Sequence, residues 1–361
     1  MSLVETDTAA DEQAGRSWLT RIMGARLFLT TVVGFVVALL VATIALPHDP
    51  YIRYQLLRNT LHARAVWVYE RIHFDPTPID VVIVGPSRSA SGVDAPMLSK
   101  ILSDRLGRKI NVVNFSFSQR GEDLSYAIVK ETFKAKQPKL VIDAVIEQQE
   151  RGGHPAFRDL ADVGDILGAP IVFNKSYLAN LARLPFRQLQ LAFDTAFASA
   201  VGFSRNFDSS AYIGSDLPRR HFPWREPDAA VPRRDLPAAY LEKDIEAASR
   251  AYASSLTKPI LPAFLRANEF AVARHSYETI RTLVDRHGAK LILLYQPYYK
   301  GPAEPFDARY YDHVGPILNP AGVVKDDAAN YEDVAHFSDQ GARKLTEWLG
   351  QQLVPYLSSG K

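Results

Sequence analysis

Short apolar segments alternate with amphipathic segments in two parts of this 361-residue chain. Strands are predicted over residues 80–84, 109–115, 139–146 and 290–295, and helices over 95–106, 122–135, 267–287 and 339–353. Strands that alternate with helices predict a parallel sheet with helices on both faces. Ligands bind such sheets beyond the carboxyl ends of the strands. The predicted fold class is therefore α/β, with three layers and a parallel sheet.

An uncharged run of 20 residues, Leu27–Leu46, lies near the N-terminus. Its length fits the hydrocarbon core of a bilayer. A buried core helix and a cleaved signal peptide are the alternatives, but the run is long for a signal core and no clean Ala-x-Ala follows it. We therefore predict a single uncleaved anchor. The arginines that precede it favour a cytoplasmic N-terminus, although others follow it at similar distances, so the bias is weak: Arg16, Arg21 and Arg26 before, Arg53, Arg58 and Arg64 after.

The anchor divides the chain into four predicted regions. These are a cytoplasmic tail at 1–26, the transmembrane anchor at 27–46, a juxtamembrane segment at 47–77 and an α/β domain at 78–361. Residues 1–15 are polar and acidic, which predicts disorder. Residues 51–73 have apolar positions at mixed helical spacing, which predicts a juxtamembrane helix whose Tyr and Trp side chains could lie at the membrane interface.

Composition excludes several kinds of chemistry. The chain has no cysteine, so disulfides, thiol catalysis and cysteine-bound zinc are excluded. A net charge of +2 does not favour nucleic acid as a partner. The pair Asp326-Asp327 has no histidine at ligand spacing, and no glycine-rich phosphate loop is present. We therefore expect no metal and no cofactor.

Two short motifs at opposite ends of the domain supply the parts of a serine-based catalytic site. Gly85-Pro86-Ser87 follows the apolar strand Val81–Val84, and Asp333 lies three residues before His336. A serine hydroxyl needs an adjacent base, and a carboxylate on the other ring nitrogen holds a histidine base in one tautomer. Taken alone, each motif also fits an ordinary turn, a helix cap or a solvated surface group.

The two motifs resemble those of the SGNH (GDSL-type) hydrolase superfamily, in particular a membrane-anchored bacterial branch linked to cell-surface polysaccharide modification. The resemblance covers about residues 78–150 and 265–353. It implies a flavodoxin-like three-layer α/β/α fold, with Ser87 as nucleophile, His336 as base and Asp333 as the orienting acid. It also implies a single-pass protein of the bacterial inner membrane with its C-terminal domain in the periplasm.

The oxyanion-binding groups of that family match less well. The resemblance implies the backbone N–H of Ser87 and a glycine after the second strand, which is Gly121. An asparagine is expected after the third strand, but Glu147-Gln148-Gln149-Glu150 stands there. Gln148 or Gln149 could donate an amide N–H instead. Loss of one oxyanion donor raises a barrier by about 2.7–4 kcal/mol, which slows an enzyme without abolishing its activity.

Two further residues are candidates for substrate contact. Arg88 could bind an anionic substrate group or pair with a nearby acid. Asn114, near the end of the second strand, could orient the turn beside the site or serve only as a turn residue. The tyrosines of residues 295–299 could line the site or pack in the core.

An insert at about 150–262 interrupts the alternation of strands and helices. It contains predicted helices at 178–200 and 238–256 and a loop rich in proline and arginine, from Pro218 to Arg234. Long inserts in compact folds often form lids or binding surfaces. Two interpretations of the insert remain open. It could be a cap that shapes a polysaccharide groove, or a solvated loop that packs on the domain.

Two functions of different classes fit the sequence. The first is a membrane-anchored serine esterase or O-acyltransferase that acts on acyl esters of a cell-surface or exported polysaccharide. The second is a non-catalytic, membrane-tethered carbohydrate-binding or assembly subunit on the same fold. A weaker third possibility is an accessory factor that contacts a membrane acyltransferase through the anchor. The expected partners are an acylated glycan, the membrane and a polysaccharide-assembly protein.

Overall fold

Five parallel strands form the central sheet, in the order β2-β1-β3-β4-β5. The computed structural model describes residues 5–217, 219, 238–256 and 258–358. The strands are β1 Val81–Val84, β2 Val112–Asn114, β3 Leu140–Val145, β4 Lys290–Tyr295 and β5 Ile317–Leu318. The predicted parallel sheet is confirmed. The two-residue edge strand β5 was not predicted, because so short a segment has no readable periodicity.

The helices connect and cover these strands. The first ten are α1 Glu5–Ile44, α2 Pro50–Gln55, α3 Arg64–His73, α4 Ser87–Gly92, α5 Ala95–Leu106, α6 Glu122–Ala135, α7 Phe157–Leu160, α8 Val163–Leu167, α9 Tyr177–Ala196 and α10 Ala238–Ser255. The others are α11 Arg266–Glu269, α12 Ala271–Arg286, α13 Ala308–Tyr311, α14 Ala321–Val324, α15 Asp339–Gln352 and α16 Val354–Ser358.

Apolar side chains cover both faces of the sheet. Along β1, Val82 and Val84 lie in one hydrophobic cluster, with residues of α3, α6 and α12. Val81 and Ile83 lie in a second cluster, with residues of α5, α15 and α16. A strand buried on both faces is continuously apolar, which explains the Val-Val-Ile-Val sequence. The result is a helical layer on each side of the sheet.

The juxtamembrane region differs from its prediction. Residues 51–73 form two helices, α2 and α3, in place of one. Tyr51, Tyr54 and Trp67 are buried in the core of the domain, and Trp67 Nε1 donates to the Gly214 carbonyl at 2.9 Å. This segment is therefore an integral part of the domain, and its aromatic side chains do not lie at a membrane interface.

The N-terminal helix α1 begins at Glu5, although residues 1–15 were predicted to be disordered. Residues 1–4 lie outside the described residues. Within α1, the segment Met23–Ile44 is long and apolar enough to span a membrane. None of its most apolar window is buried against the rest of the protein.

The insert contains α7 to α10, and α9 and α10 lie close to the predicted positions. Of the loop rich in proline and arginine, only Arg219 belongs to the described residues.

Candidate active site

Ser87 follows β1 through a tight turn and is the first residue of α4. Gly85, in this turn, has φ +145°, and a Cβ there would lie 2.6 Å from the Cβ of Ala144 on the neighbouring strand. Only glycine fits such a position. As the first residue of a helix, Ser87 has a backbone N–H without an intrahelical acceptor. The turn thus presents both a hydroxyl and a free N–H at the carboxyl edge of the sheet.

Ser87, His336 and Asp333 form a hydrogen-bonded series. His336 Nε2 lies 2.8 Å from Ser87 Oγ, and His336 Nδ1 lies 2.8 Å from Asp333 Oδ2. The other carboxylate oxygen of Asp333 accepts the backbone N–H groups of Ala335 and His336. The histidine therefore has one nitrogen on a carboxylate and the other on a serine hydroxyl, which is the geometry of an activated serine.

The local hydrogen bonds keep Asp333 ionised. Burial opposes its ionisation, but the bonds from the His336 side chain and from the two backbone N–H groups outweigh that effect and hold its pKa at about 2. A carboxylate that stays charged at neutral pH can stabilise an imidazolium when the histidine takes a proton. The His336 ring is 37% exposed, so a substrate can reach it from solvent.

Backbone hydrogen bonds close the segment that carries His336 into a turn, and a helix cap follows it. Tyr331 and Phe337 form an antiparallel bridge, and the Glu332 N–H donates to the His336 carbonyl at 2.9 Å. Ser338 then caps α15 by accepting the Gly341 N–H. This explains the Asp-x-x-His pattern, because one closed turn brings the carboxylate back to its own histidine.

The side chain of Asn114 is hydrogen-bonded to the backbone of the serine-bearing helix α4. Its Nδ2 donates to the carbonyls of Ser89 and Val93 at 2.9 and 3.0 Å, and its Oδ1 accepts the Ser116 N–H at 3.1 Å. The side chain is buried, and these bonds commit its amide to backbone groups. Asn114 therefore orients α4 and is not free to contact a substrate or an oxyanion.

Gly121 lies where α6 begins, with φ +142°. A Cβ at this position would lie 2.2 Å from the His154 backbone nitrogen. The two loops that follow β2 and β3 therefore pack together without a side chain between them. The role of Gly121 in binding an oxyanion stays a prediction.

Arg88 forms a buried ion pair. Its guanidinium bonds both carboxylate oxygens of Glu147 at 2.6 and 3.2 Å, and it also donates to the Gln296 carbonyl and the Tyr252 hydroxyl. Burial opposes the charge of Glu147, but Arg88 lowers the pKa of this carboxyl below its usual range. Of the two interpretations of Arg88, the structure favours pairing with an acid.

Gln148 and Gln149 line a cavity of about 40 Å³. Its other lining residues are Glu147 and side chains before α12 and around α13, namely Pro259, Arg266, Phe270, Phe306, Asp307 and Tyr311. Gln149 Oε1 accepts from Arg274 Nε at 3.2 Å. Neither glutamine has a side-chain hydrogen bond to Ser87 or His336 within the described part of the chain. Gln148 Oε1 and Gln149 Nε2 are buried there without a hydrogen-bond partner, so either amide could still bind a ligand group.

The insert contributes two side chains that the sequence did not identify. Tyr252 of α10 donates its hydroxyl to Glu147 at 2.7 Å and accepts from Arg88 and Arg120. Arg219 bonds the carbonyls of Ser91 and Phe337 and pairs with Asp339. It thus bridges the serine-bearing helix and the histidine-bearing segment. Contacts that join such distant parts of the chain leave no local sequence signal.

Within the described ranges, no group of three or more His, Asp or Glu side chains is arranged to hold a metal ion. The fold and the site define an α/β protein with a Ser–His–Asp hydrogen-bonded series at the carboxyl edge of its sheet. A scan against protein-family models finds no family that matches this chain, and a search of curated proteins finds no match either.

Proposed function

We propose that the protein is a membrane-anchored serine esterase or O-acyltransferase of the SGNH type. Its substrates are acyl esters of a cell-surface or exported polysaccharide. The observation that carries the proposal is the hydrogen-bonded series Ser87–His336–Asp333, with both of its histidine contacts at 2.8 Å. The polysaccharide and the periplasmic location rest on the sequence resemblance.

The reaction begins when Ser87 Oγ attacks the ester carbonyl carbon and its proton passes to His336 Nε2. The oxyanion accepts hydrogen bonds from the backbone N–H groups of Ser87 and Gly121. As the tetrahedral intermediate collapses, the sugar oxygen leaves with the proton from His336, and the acyl group remains on Ser87. Water or a second sugar hydroxyl, deprotonated by His336, then takes the acyl group.

A third oxyanion donor is supplied by Gln148 or Gln149 in this proposal. Both follow β3. In the described part of the chain, the unpartnered buried atom of Gln149 is Nε2, a donor, whereas that of Gln148 is Oε1, which can only accept. In this proposal, a side-chain rotation on substrate binding aims an amide N–H at the oxyanion. Catalytic hydrogen bonds often tighten only when the substrate is bound.

Labelling with a fluorophosphonate probe tests for an activated serine. The full-length chain in detergent should label, and Ser87→Ala and His336→Ala should not. Ser91→Ala is the matched control, because Ser91 lies in the same helix and its hydroxyl only donates to the Arg88 carbonyl. Failure of a folded wild-type protein to label would count against the enzyme.

The second candidate is a non-catalytic carbohydrate-binding or assembly subunit. The observation in its favour is that the segment after β3, Glu147-Gln148-Gln149-Glu150, lacks the asparagine that the resemblance implies. This candidate predicts that Ser87→Ala leaves glycan binding and polysaccharide modification in cells unchanged. If the protein is an enzyme, Ser87→Ala should abolish polysaccharide modification and leave glycan binding intact.

A further inference from the structure

One face of α9 is apolar and exposed over the length of the helix. Leu178, Ala182, Phe186, Leu189 and Phe193 recur at spacings of three and four residues, so they share one face. The four large side chains among them are between 53% and 73% exposed. Large apolar side chains that are exposed together on one face are typical of a surface that contacts a protein or a membrane.

The opposite face of α9 packs on the domain. Leu184 and Leu191 are buried there in hydrophobic clusters, and Arg187 donates to the carbonyls of Arg158 and Ala161. The orientation of the helix is therefore fixed by buried contacts, and the apolar face points away from the described part of the domain.

The same helix joins the end of α1. Gln188 Nε2 donates to the Ile44 carbonyl at 3.2 Å, and the Asp49 N–H donates to Thr195 Oγ1 at 3.0 Å. Residues 23–42 of α1 are exposed, whereas Thr43 and Ile44 are half-buried. The domain thus first covers the apolar helix at its C-terminal end, where α9 lies.

The loop between α8 and α9 extends the apolar surface. Ile171, Val172 and Phe173 are each at least 41% exposed. Lys175, which is exposed, and Arg183, which is half-exposed, flank the apolar face. An apolar face with basic residues at its margin is typical of helices that lie in the plane of a membrane interface.

We propose that α9 and the loop before it form an interfacial membrane-binding surface beside the anchor. Leu178, Phe186, Leu189 and Phe193 enter the boundary between headgroups and acyl chains, to a depth of about 5–10 Å. The occupant is lipid, because α9 contacts the end of a helix that itself needs lipid around it. This contact holds the domain against the bilayer and fixes its orientation relative to the membrane.

The inference rests on the anchor that is part of the proposed function, and it does not depend on the chemistry of Ser87. Because the chain has no cysteine, a single introduced cysteine provides a unique labelling site. Phe186→Cys and Phe193→Cys report on α9, Phe35→Cys on the anchor and Glu347→Cys on an exposed position of α15. Each full-length variant carries a nitroxide and is reconstituted in phosphatidylethanolamine–phosphatidylglycerol vesicles.

Collision with oxygen and with a water-soluble nickel complex is then measured by electron paramagnetic resonance. The proposal predicts that labels at positions 186 and 193 collide with oxygen but not with nickel, as does the label at position 35. The label at position 347 should stay accessible to nickel. Nickel access at 186 and 193 with lipid exposure at 35 would overturn the interfacial helix alone. Protection from both reagents would mean coverage by protein, such as a second copy, and would overturn it too. Nickel access at 35 would refute the anchor itself.

Discussion

His336 Nε2 lies 2.8 Å from Ser87 Oγ, although 249 positions separate the two residues in the chain. The sheet makes this contact possible, because Ser87 follows its strand β1 directly and His336 precedes α15, which packs beside α4 and α5. The same arrangement leaves the histidine ring accessible to solvent.

Replacement of Asp333 by asparagine should slow the reaction of Ser87 without unfolding the protein. An amide can accept the backbone N–H groups but cannot stabilise an imidazolium, and it favours the wrong histidine tautomer. We expect the rate of fluorophosphonate labelling to fall by about 10²–10⁴-fold. The measurement is the labelling rate of the wild type and of Asp333→Asn, together with the thermal unfolding of both. A slower rate with unchanged unfolding would support the prediction. An unchanged labelling rate would remove Asp333 from the mechanism.

Asn114→Ala should weaken the support of α4. The change leaves the buried Val93 carbonyl without a donor, at a cost of about 1–3 kcal/mol, whereas the Ser89 carbonyl keeps the Val93 N–H. We therefore expect a lower free energy of unfolding and slower labelling of Ser87. Asn319→Ala is the control, since Asn319 also bonds a backbone carbonyl through its amide but lies in an exposed position. Equal effects of the two changes would contradict a specific role for Asn114.

The pair Arg88–Glu147 should show strong coupling. Glu147→Leu leaves the buried Arg88 charge unpaired, which typically costs about 3–5 kcal/mol. The double variant Arg88→Leu/Glu147→Leu should cost less than the sum of Arg88→Leu and Glu147→Leu. Chemical denaturation of the four proteins measures this difference. Additive costs would mean that the two side chains do not depend on each other.

Asp143 should make stability depend on pH. Burial raises the pKa of this carboxyl to about 8, against 3.8 for the free group. A raised acid pKa means that the unfolded chain loses its proton first, so stability from this group falls as pH rises from about 4 to 8. Asp143→Asn should therefore stabilise the protein by about 2–4 kcal/mol more at pH 8 than at pH 5. Chemical denaturation of the wild type and Asp143→Asn at pH 5 and at pH 8 tests this. An equal change in the free energy of unfolding at the two pH values would refute it.

Local patterns account for what the sequence predicted. The strand before Ser87 is apolar on both faces, and the closed turn from Asp333 to His336 spans four residues, so each leaves a motif. The helices α5, α6 and α15 were predicted at or within one residue of their observed bounds, because glycine, acidic and serine residues mark their ends.

Contacts between distant segments could not be predicted. Tyr252 and Arg219 reach the site from the insert, at sequence distances of more than 100 residues from their partners. The pairing of Arg88 with Glu147 depends on the proximity of β1 and β3 and on the exclusion of water there. The division of residues 51–73 into α2 and α3 also depends on tertiary packing, because both helices fill the core against α6 and the sheet.

The central claim is that Ser87 becomes acylated, and the most direct measurement is peptide mass spectrometry after reaction with p-nitrophenyl acetate and acid quenching. The account predicts an acetyl group on the peptide that contains Ser87 in the wild type, and none in Ser87→Ala or His336→Ala. A folded wild-type protein without this adduct, or with an adduct that persists in Ser87→Ala, would contradict it.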